Sequence, residues 1–215
     1  AEADGRKQRL DFVFFKGREK IEEIDYIKAG GFELDMDMVV EATPEAKGNI
    51  IFDELAGDMI TARGSGLLYV DIPPVGDMTM NGNFEVTRGD YVFNFKNVVN
   101  KAFTIREGGV ISWAGSPYDA TLNLDAVYTA PAAGVSAWSN DTTSRGSMTI
   151  NILMHLEGPM DKPNLKFDLE IPNLANNAGF DIRNKLEICR QDEAELNRQV
   201  FSLLMLNAVA PRSEE

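Results

Sequence analysis

The chain has 215 residues, 44% hydrophobic and 26% charged, which suits a single all-β domain and leaves enough apolar side chains for a core. Its formal net charge of −13 argues against nucleic-acid binding and against charge-driven adsorption to anionic lipid, while leaving contact with uncharged acyl chains open. The single cysteine, Cys189, excludes an intramolecular disulfide and a cysteine-based metal site. Beside Leu186 and Ile188 it reads as a small buried apolar residue.

Residues 1–30 read as a frayed or linker segment. Within it Asp11–Phe15 has the composition of an edge strand, and Lys16–Lys28 suits either a short helix or a linker. The chain opens on Ala1-Glu2-Ala3-Asp4 and stops in a helical tail, which reads as a piece of something longer. No run of about 18 apolar residues predicts a membrane-spanning helix, and no secretory signal is seen.

From Gly31 a period of two sets in, the mark of strands with one apolar and one wet face. Phe32, Leu34, Met36, Met38 and Val40 alternate with Glu33, Asp35 and Asp37. Shorter strands fit Asn49–Phe52, Met59–Arg63 and Leu67–Ile72. The alternation returns through Met78, Met80, Phe84 and Val86, and again through Tyr91, Phe93 and Phe95. Ala102–Ile105 and Val110–Trp113 are short strands. Leu122, Leu124, Ala126 and Tyr128 follow, then Met148, Ile150, Ile152, Met154 and Leu156, then Leu165, Phe167, Leu169 and Ile171. Thr87-Arg88-Gly89-Asp90 and Glu107-Gly108-Gly109 read as hairpin turns. Ala114–Pro117 and Gly158–Pro163 read as further turns. Thr129–Ser147, rich in Ala, Ser, Thr and Gly, reads as a loop, and its Asn140-Asp141-Thr142 triplet as ordinary loop sequence. Residues 31–175 are thus expected to form an up-and-down antiparallel meander of about ten strands.

Residues 176–215 change period and predict a helical tail. Asp192 is a predicted N-cap, with Glu195 as its capping-box partner. Leu196, Val200, Leu203 and Leu204 fall at helical spacing, and Pro211 marks the stop. A shorter helix fits Phe180–Cys189.

One face of this meander carries roughly twenty large apolar side chains, each costing about 1.5–3 kcal/mol if left in water. That sum exceeds the roughly 5–15 kcal/mol that holds a domain together, so the face must be covered. The C-terminal helix reaches across only about a quarter of such a sheet. The sheet must therefore curl, meet a second sheet, or hold an apolar ligand. Methionine recurs on this face, at Met36, Met38, Met78, Met80, Met148 and Met154. Flexible thioethers suit a surface that receives shapeless apolar partners, and they equally fill gaps in a packed core.

Catalysis is not expected. His155, the only histidine, falls on the polar parity. Gly64-Ser65-Gly66 lacks the strand–turn–helix setting of a nucleophile elbow. Glu33, Asp35 and Asp37 read as a solvated row rather than a calcium site, and Arg88-Gly89-Asp90 as a turn. No cofactor or metal is expected.

Several segments in order resemble the C-terminal domain of the translocation and assembly module TamB family. They are Met80–Phe84, Arg88–Phe93, Phe103–Ile105, Gly108-Gly109, Ile111–Trp113, Gly115–Ala120, Leu122–Tyr128, Leu156–Pro159, Pro163–Phe167 and Asn197–Leu204. The resemblance covers about Gly31 to Leu206. It implies a curled sheet likened to a taco, an open trough with an apolar interior, followed by short helices. It also implies a periplasmic part of an inner-membrane-anchored protein that works with an Omp85-type outer-membrane partner. Two roles come with it: moving phospholipids between the membranes, and helping outer-membrane β-barrel proteins assemble. The family's N-terminal anchor and the C-terminal end that meets the outer-membrane partner are not seen in this sequence. A trough of this kind would be lined by Met36, Met38, Met78, Met80, Phe84, Phe93, Phe95, Leu122, Leu124, Ile150, Ile152, Met154, Phe167 and Leu169. Acyl chains would slide along it while headgroups stay wet. The alternative is a chaperone-like module whose free strand edges receive client strands by β-augmentation.

Overall fold

The computed structural model describes residues 12–14, 35–53, 55, 57–95, 98–132, 148–172 and 179–210. In chain order the strands are β1 (Phe12–Phe14), β2 (Met36–Asp53), β3 (Asp58–Ile72), β4 (Thr79–Phe95), β5 (Val99–Ile105), β6 (Gly109–Gly115), β7 (Thr121–Ala132), β8 (Met148–Pro159) and β9 (Asn164–Glu170). Two helices follow, α1 (Gly179–Arg190) and α2 (Glu193–Leu206). The strands build one sheet in the order β1-β2-β3-β4-β5-β7-β8-β9, with β6 wedged between β4 and β7. All pairings are antiparallel except β1 with β2, which is parallel. The expected meander with a helical tail is what the chain adopts, and β1 and β9 stand at opposite ends of the strand order, so it is not a barrel.

Register explains why one face is apolar. Met38 lies opposite Val70, and Val70 opposite Met80. On the far side Leu124 faces Leu156, and Ile152 faces both Tyr128 and Leu169. Partners in a sheet share a face, so the period-two pattern of each strand adds to its neighbour's.

The strands are longer and fewer than the sequence suggested, and two predicted turns dissolve. Asn49–Phe52 is the end of β2, and Met59–Arg63 and Leu67–Ile72 are one strand through Gly64-Ser65-Gly66. Thr87–Asp90 is not a hairpin. β4 runs straight through it, and the register against β3 jumps there, Arg63 facing Arg88 while Gly64 faces Val86. Thr87 is the extra residue of a bulge, its hydroxyl donating to the Arg63 carbonyl at 3.1 Å. One inserted residue flips side-chain parity, which is why the buried set passes from Phe84 and Val86 to Tyr91 and Phe93. Glu107-Gly108-Gly109 is likewise no hairpin. β5 and β6 lie end to end along β4, pairing its two halves in turn. The jog is pinned by Arg106 N–H to Asp125 O at 2.7 Å and Gly108 N–H to Val86 O at 2.9 Å. Finally, Thr129–Ala132 belongs to β7 rather than to a loop. The remainder of the predicted loop, including Asn140-Asp141-Thr142, and the Lys16–Lys28 segment lie outside the described residues.

The sheet curls. From β4 to β9 the path crosses four strand gaps, about 19 Å if flat, yet the rings of Phe93 and Phe167 sit 6.1 Å apart. Close backbone approach marks the crease between β3 and β4. A Cβ on Gly66 would stand 2.1 Å from the Asn83 carbonyl oxygen. One on Gly82 would stand 2.2 Å from that of Leu67, and Gly82 itself holds φ +137°. Only glycine fits there.

The helices close over the concave face. Asp192 caps α2, accepting from Ala194 N–H at 3.0 Å and Glu195 N–H at 3.3 Å. The predicted reciprocal half of the capping box does not form. Glu195 turns to Arg198 and Gln199 instead, and the Asp192 N–H goes to Cys189 O. α2 ends before Pro211, at Leu206, with Asn207 in the left-handed conformation as its cap. Gln199, buried, then exchanges two hydrogen bonds with the backbone of Ala210 and ties the returning chain to the helix.

Candidate functional site: the concave apolar face

Most of the residues expected to line a trough point to one concave face, but the protein closes over much of it. Met80, Phe84, Phe93, Leu122, Leu124, Ile150, Ile152, Met154 and Leu169 are all 7% exposed or less. All of these but Met80 pack with Phe103, Leu156, Val200, Leu203 and Leu204 in one continuous core. Phe201 of α2 is the bridge. Its ring centroid lies 5.0 Å from that of Phe95 and 6.2 Å from that of Phe167, so the helix spans the curled sheet from β4 to β9. Phe167 is half-buried, and Phe95 stays 39% exposed.

The remaining expected residues lie elsewhere. Met36 and Met38 are half-buried and Met78 is 39% exposed. Register gathers Met36 and Met38 with Val40, Leu68, Val70 and Ile72, also half-buried, into an open wing, and Met78 stands just before β4. Its rows are Met36–Ile72, Met38–Val70–Met80 and Val40–Leu68–Gly82–Trp113. Val40, Leu68, Val70 and Ile72 are the lining residues that the methionine argument passed over. Their signal was the register with Met36 and Met38, which only pairing reveals. Val39 and Tyr69, opposite each other on the convex side of the same wing, are exposed too.

The family model of the TamB C-terminal domain matches residues 1–214. The chain belongs to the TamB C-terminal domain family. The match takes in the stretch on which the sequence resemblance rested and the residues before it. It makes the chain part of a TamB-like cell-envelope protein. No curated protein matches. Among the described residues of this TamB domain no helix is long and apolar enough to cross a membrane.

The polar groups of the TamB domain fall mainly outside the concave face. His155 sits on the wet side, its Nδ1 2.7 Å from Asp125 Oδ1. Asp35, Asp37 and Arg88 are exposed, Glu33 lies outside the described residues, and no described cluster of His, Cys, Asp or Glu has the makings of a metal site. Burial pushes the Cys189 thiol up to about 11, in keeping with its expected apolar role. Burial, and then the carboxylate of Asp58 to which it hydrogen-bonds, pushes the Tyr91 phenol far above its ordinary range.

The charged side chains of Asp58 and Lys101 do reach the concave face. Asp58 precedes Ile60 on the inward parity of β3, where it meets Tyr91. Lys101 lies opposite Phe93, on the inward parity of Val99, Phe103 and Ile105. The sequence reading passed over Lys101. A cation on an otherwise apolar parity was the available signal.

The two edges of the sheet also differ. On β9, Leu169 gives its N–H to Asp168 Oδ1 at 2.7 Å and receives Arg190 at its carbonyl at 2.9 Å. Arg190 also holds Asp168 by two bonds and Glu187 by one. On β2, no described strand pairs the outer edge between Met36 and Lys47, because β1 meets only Gly48–Ile50.

Proposed function

We propose that this TamB domain is a periplasmic, non-enzymatic segment of an inner-membrane-anchored protein, and that it carries phospholipid acyl chains between the two membranes alongside an Omp85-type outer-membrane partner. The observation that supports this reading most is the open wing of Met36, Met38, Val40, Leu68, Val70, Ile72 and Met78. All of them but Met78, which precedes β4, stand in register and continue the buried face, yet the described chain leaves them partly wet. Each would gain by contact with hydrocarbon, and such contact needs no directed hydrogen bond. Methionines at three of these positions adapt to a mobile chain.

The lipid path in this reading runs over the wing, not through the sealed middle. A photo-crosslinking residue at Met38 or Val70 in the cell-expressed parent protein is expected to capture phospholipid. The same residue at Ile152 is expected to capture none. Absence of lipid adducts at both wing positions, with the protein folded, overturns the reading.

A second reading is favoured by the unpaired β2 edge. A client barrel protein's strand would add there by β-augmentation. Unfolded barrel peptides should then bind, and a proline placed between Met36 and Ala46 should abolish binding. Unchanged binding would remove this alternative.

A further inference from the structure

Lys101 is the only lysine or arginine on the concave face among the described strand residues. Its register partner Phe93 is 3% exposed, and its strand neighbours on the same face, Val99 and Phe103, are buried. Its ammonium rests 5.4 Å from the centre of the Tyr128 ring, and no described carboxylate forms an ion pair with it. That solitude is unusual in a chain with 34 acidic residues against 21 basic ones. Asp58, a carboxylate on the same face, is hydrogen-bonded to Tyr91.

The surroundings are aromatic and partly open. From Tyr128 the rings run to Phe103 at 5.6 Å, on to Phe93 at 6.1 Å, and from there to Phe95 at 6.3 Å. Tyr128 and Lys101 are half-buried, and Phe95 is exposed on one side. The strands part here. β5 and β7 pair only at Thr104–Val127 and Ile105–Ala126, so the ladder stops before it reaches Lys101 and Tyr128.

We propose that Lys101 and Tyr128 form an anionic-headgroup subsite, at which a single-chain or two-chain amphiphile places its negative group while its hydrocarbon lies against the exposed part of Phe95. The inference rests on the amphiphile-carrying reading above and adds a second contact to it, at the Phe93–Phe95 end of β4, away from the Met80 end that borders the wing. Charge complementarity argues for it. An ammonium over a ring face, at the margin of an apolar cluster, keeps its charge and offers three donors to a phosphate or carboxylate. In a chain of net charge −13 a cation that no described carboxylate neutralises is where an anion is best received.

The test uses the 215-residue chain and three detergents of equal chain length: dodecyl phosphate, dodecanoate and neutral dodecyl maltoside. Binding is measured by calorimetry below their micellar concentrations. The wild type is expected to prefer at least one anion over the neutral detergent. The tighter of the two anions tells a phosphate headgroup from a fatty-acid carboxylate. Lys101→Met keeps the apolar stem and is expected to weaken the preferred anion about ten-fold, a change of about 1.4 kcal/mol, with dodecyl maltoside unchanged. Lys101→Arg is expected to retain the preference. Should Lys101→Met fail to fold, the wild-type preference must still shrink with added salt. Equal binding of all three detergents, insensitive to Lys101 and to salt, overturns the subsite and leaves the amphiphile-carrying wing standing. No binding of any detergent overturns both.

Discussion

The divide between a sealed middle and an open wing has a thermodynamic consequence that two substitutions separate. Ile152 is fully buried between Tyr128 on β7 and Leu169 on β9. Both flanking ladders are continuous, so the backbone has little freedom to collapse into the space that Ile152→Ala would leave. Such sites fall in the upper part of the range for large-to-small changes, here about 3–4 kcal/mol. Val70 is half-buried, on the wing, with no protein above it among the described residues. Val70→Ala removes two methyl groups that are already partly wet and leaves no cavity, so its cost is about 0.5–1 kcal/mol. The assay is urea unfolding followed by far-ultraviolet circular dichroism. With a slope of about 3 kcal/mol per molar for a chain of this size, Ile152→Ala should lower the midpoint by about 1 M and Val70→Ala by about 0.2–0.3 M. Equal losses would refute the reasoning, because they would mean that the wing is covered as tightly as the middle.

The remaining expectations follow from single features. Gly82→Ala forces a methyl into the Leu67 carbonyl at φ +137°, and should cost at least about 2 kcal/mol in the same titration while a nearby exposed control such as Asn81→Ala costs little. Asp192→Ala removes two bonds at the start of α2 and should cost about 1 kcal/mol, with Asp192→Asn recovering most of it. The Cys189 thiol should resist alkylation at pH 8 in the folded chain and react fully in denaturant. Because its folded value is raised from 9.0 to about 11, its contribution to stability is intact below pH 9 and is lost as pH rises toward 11. Melting temperatures of wild type and Cys189→Ala should therefore converge over that interval, and parallel curves would contradict the assignment.

The sheet was legible in the sequence because alternation is a local property. Met80, Phe84 and Val86, or Ile150, Ile152 and Met154, announce an inward face without knowledge of any partner. The errors arose where one local signal has two causes. A parity switch between Val86 and Tyr91 follows from a reversal of the chain or from one inserted residue, and Thr87-Arg88-Gly89-Asp90 has a composition that suits both. Gly64-Ser65-Gly66 looked like a break between strands, whereas its glycines permit the close approach of β4. The sealing of the middle was not legible at all. It depends on Phe201 meeting Phe95 and Phe167 across the curl, a contact between residues far apart in the chain that no periodicity encodes.

The treatment of the two edges completes the physical picture. A strand edge with free N–H and C=O groups invites another strand, and chains blunt such edges with charge or with a covering element. Here β9 is blunted by both means. Asp168 and Arg190 occupy the outward groups of Leu169, and the same arginine fastens the end of α1 to the sheet. α2 then roofs the concave face on that side through Phe201, Val200 and Leu204. β2 carries no such protection between Met36 and Lys47, and the apolar wing opens beside it. An unpaired edge and an uncovered apolar face on the same side need the same remedy, a continuation of the sheet or a ligand that wets poorly. On the β9 side the chain already supplies its own cover, so the edge and the larger apolar face that the described chain leaves unprotected both lie along β2 and β3.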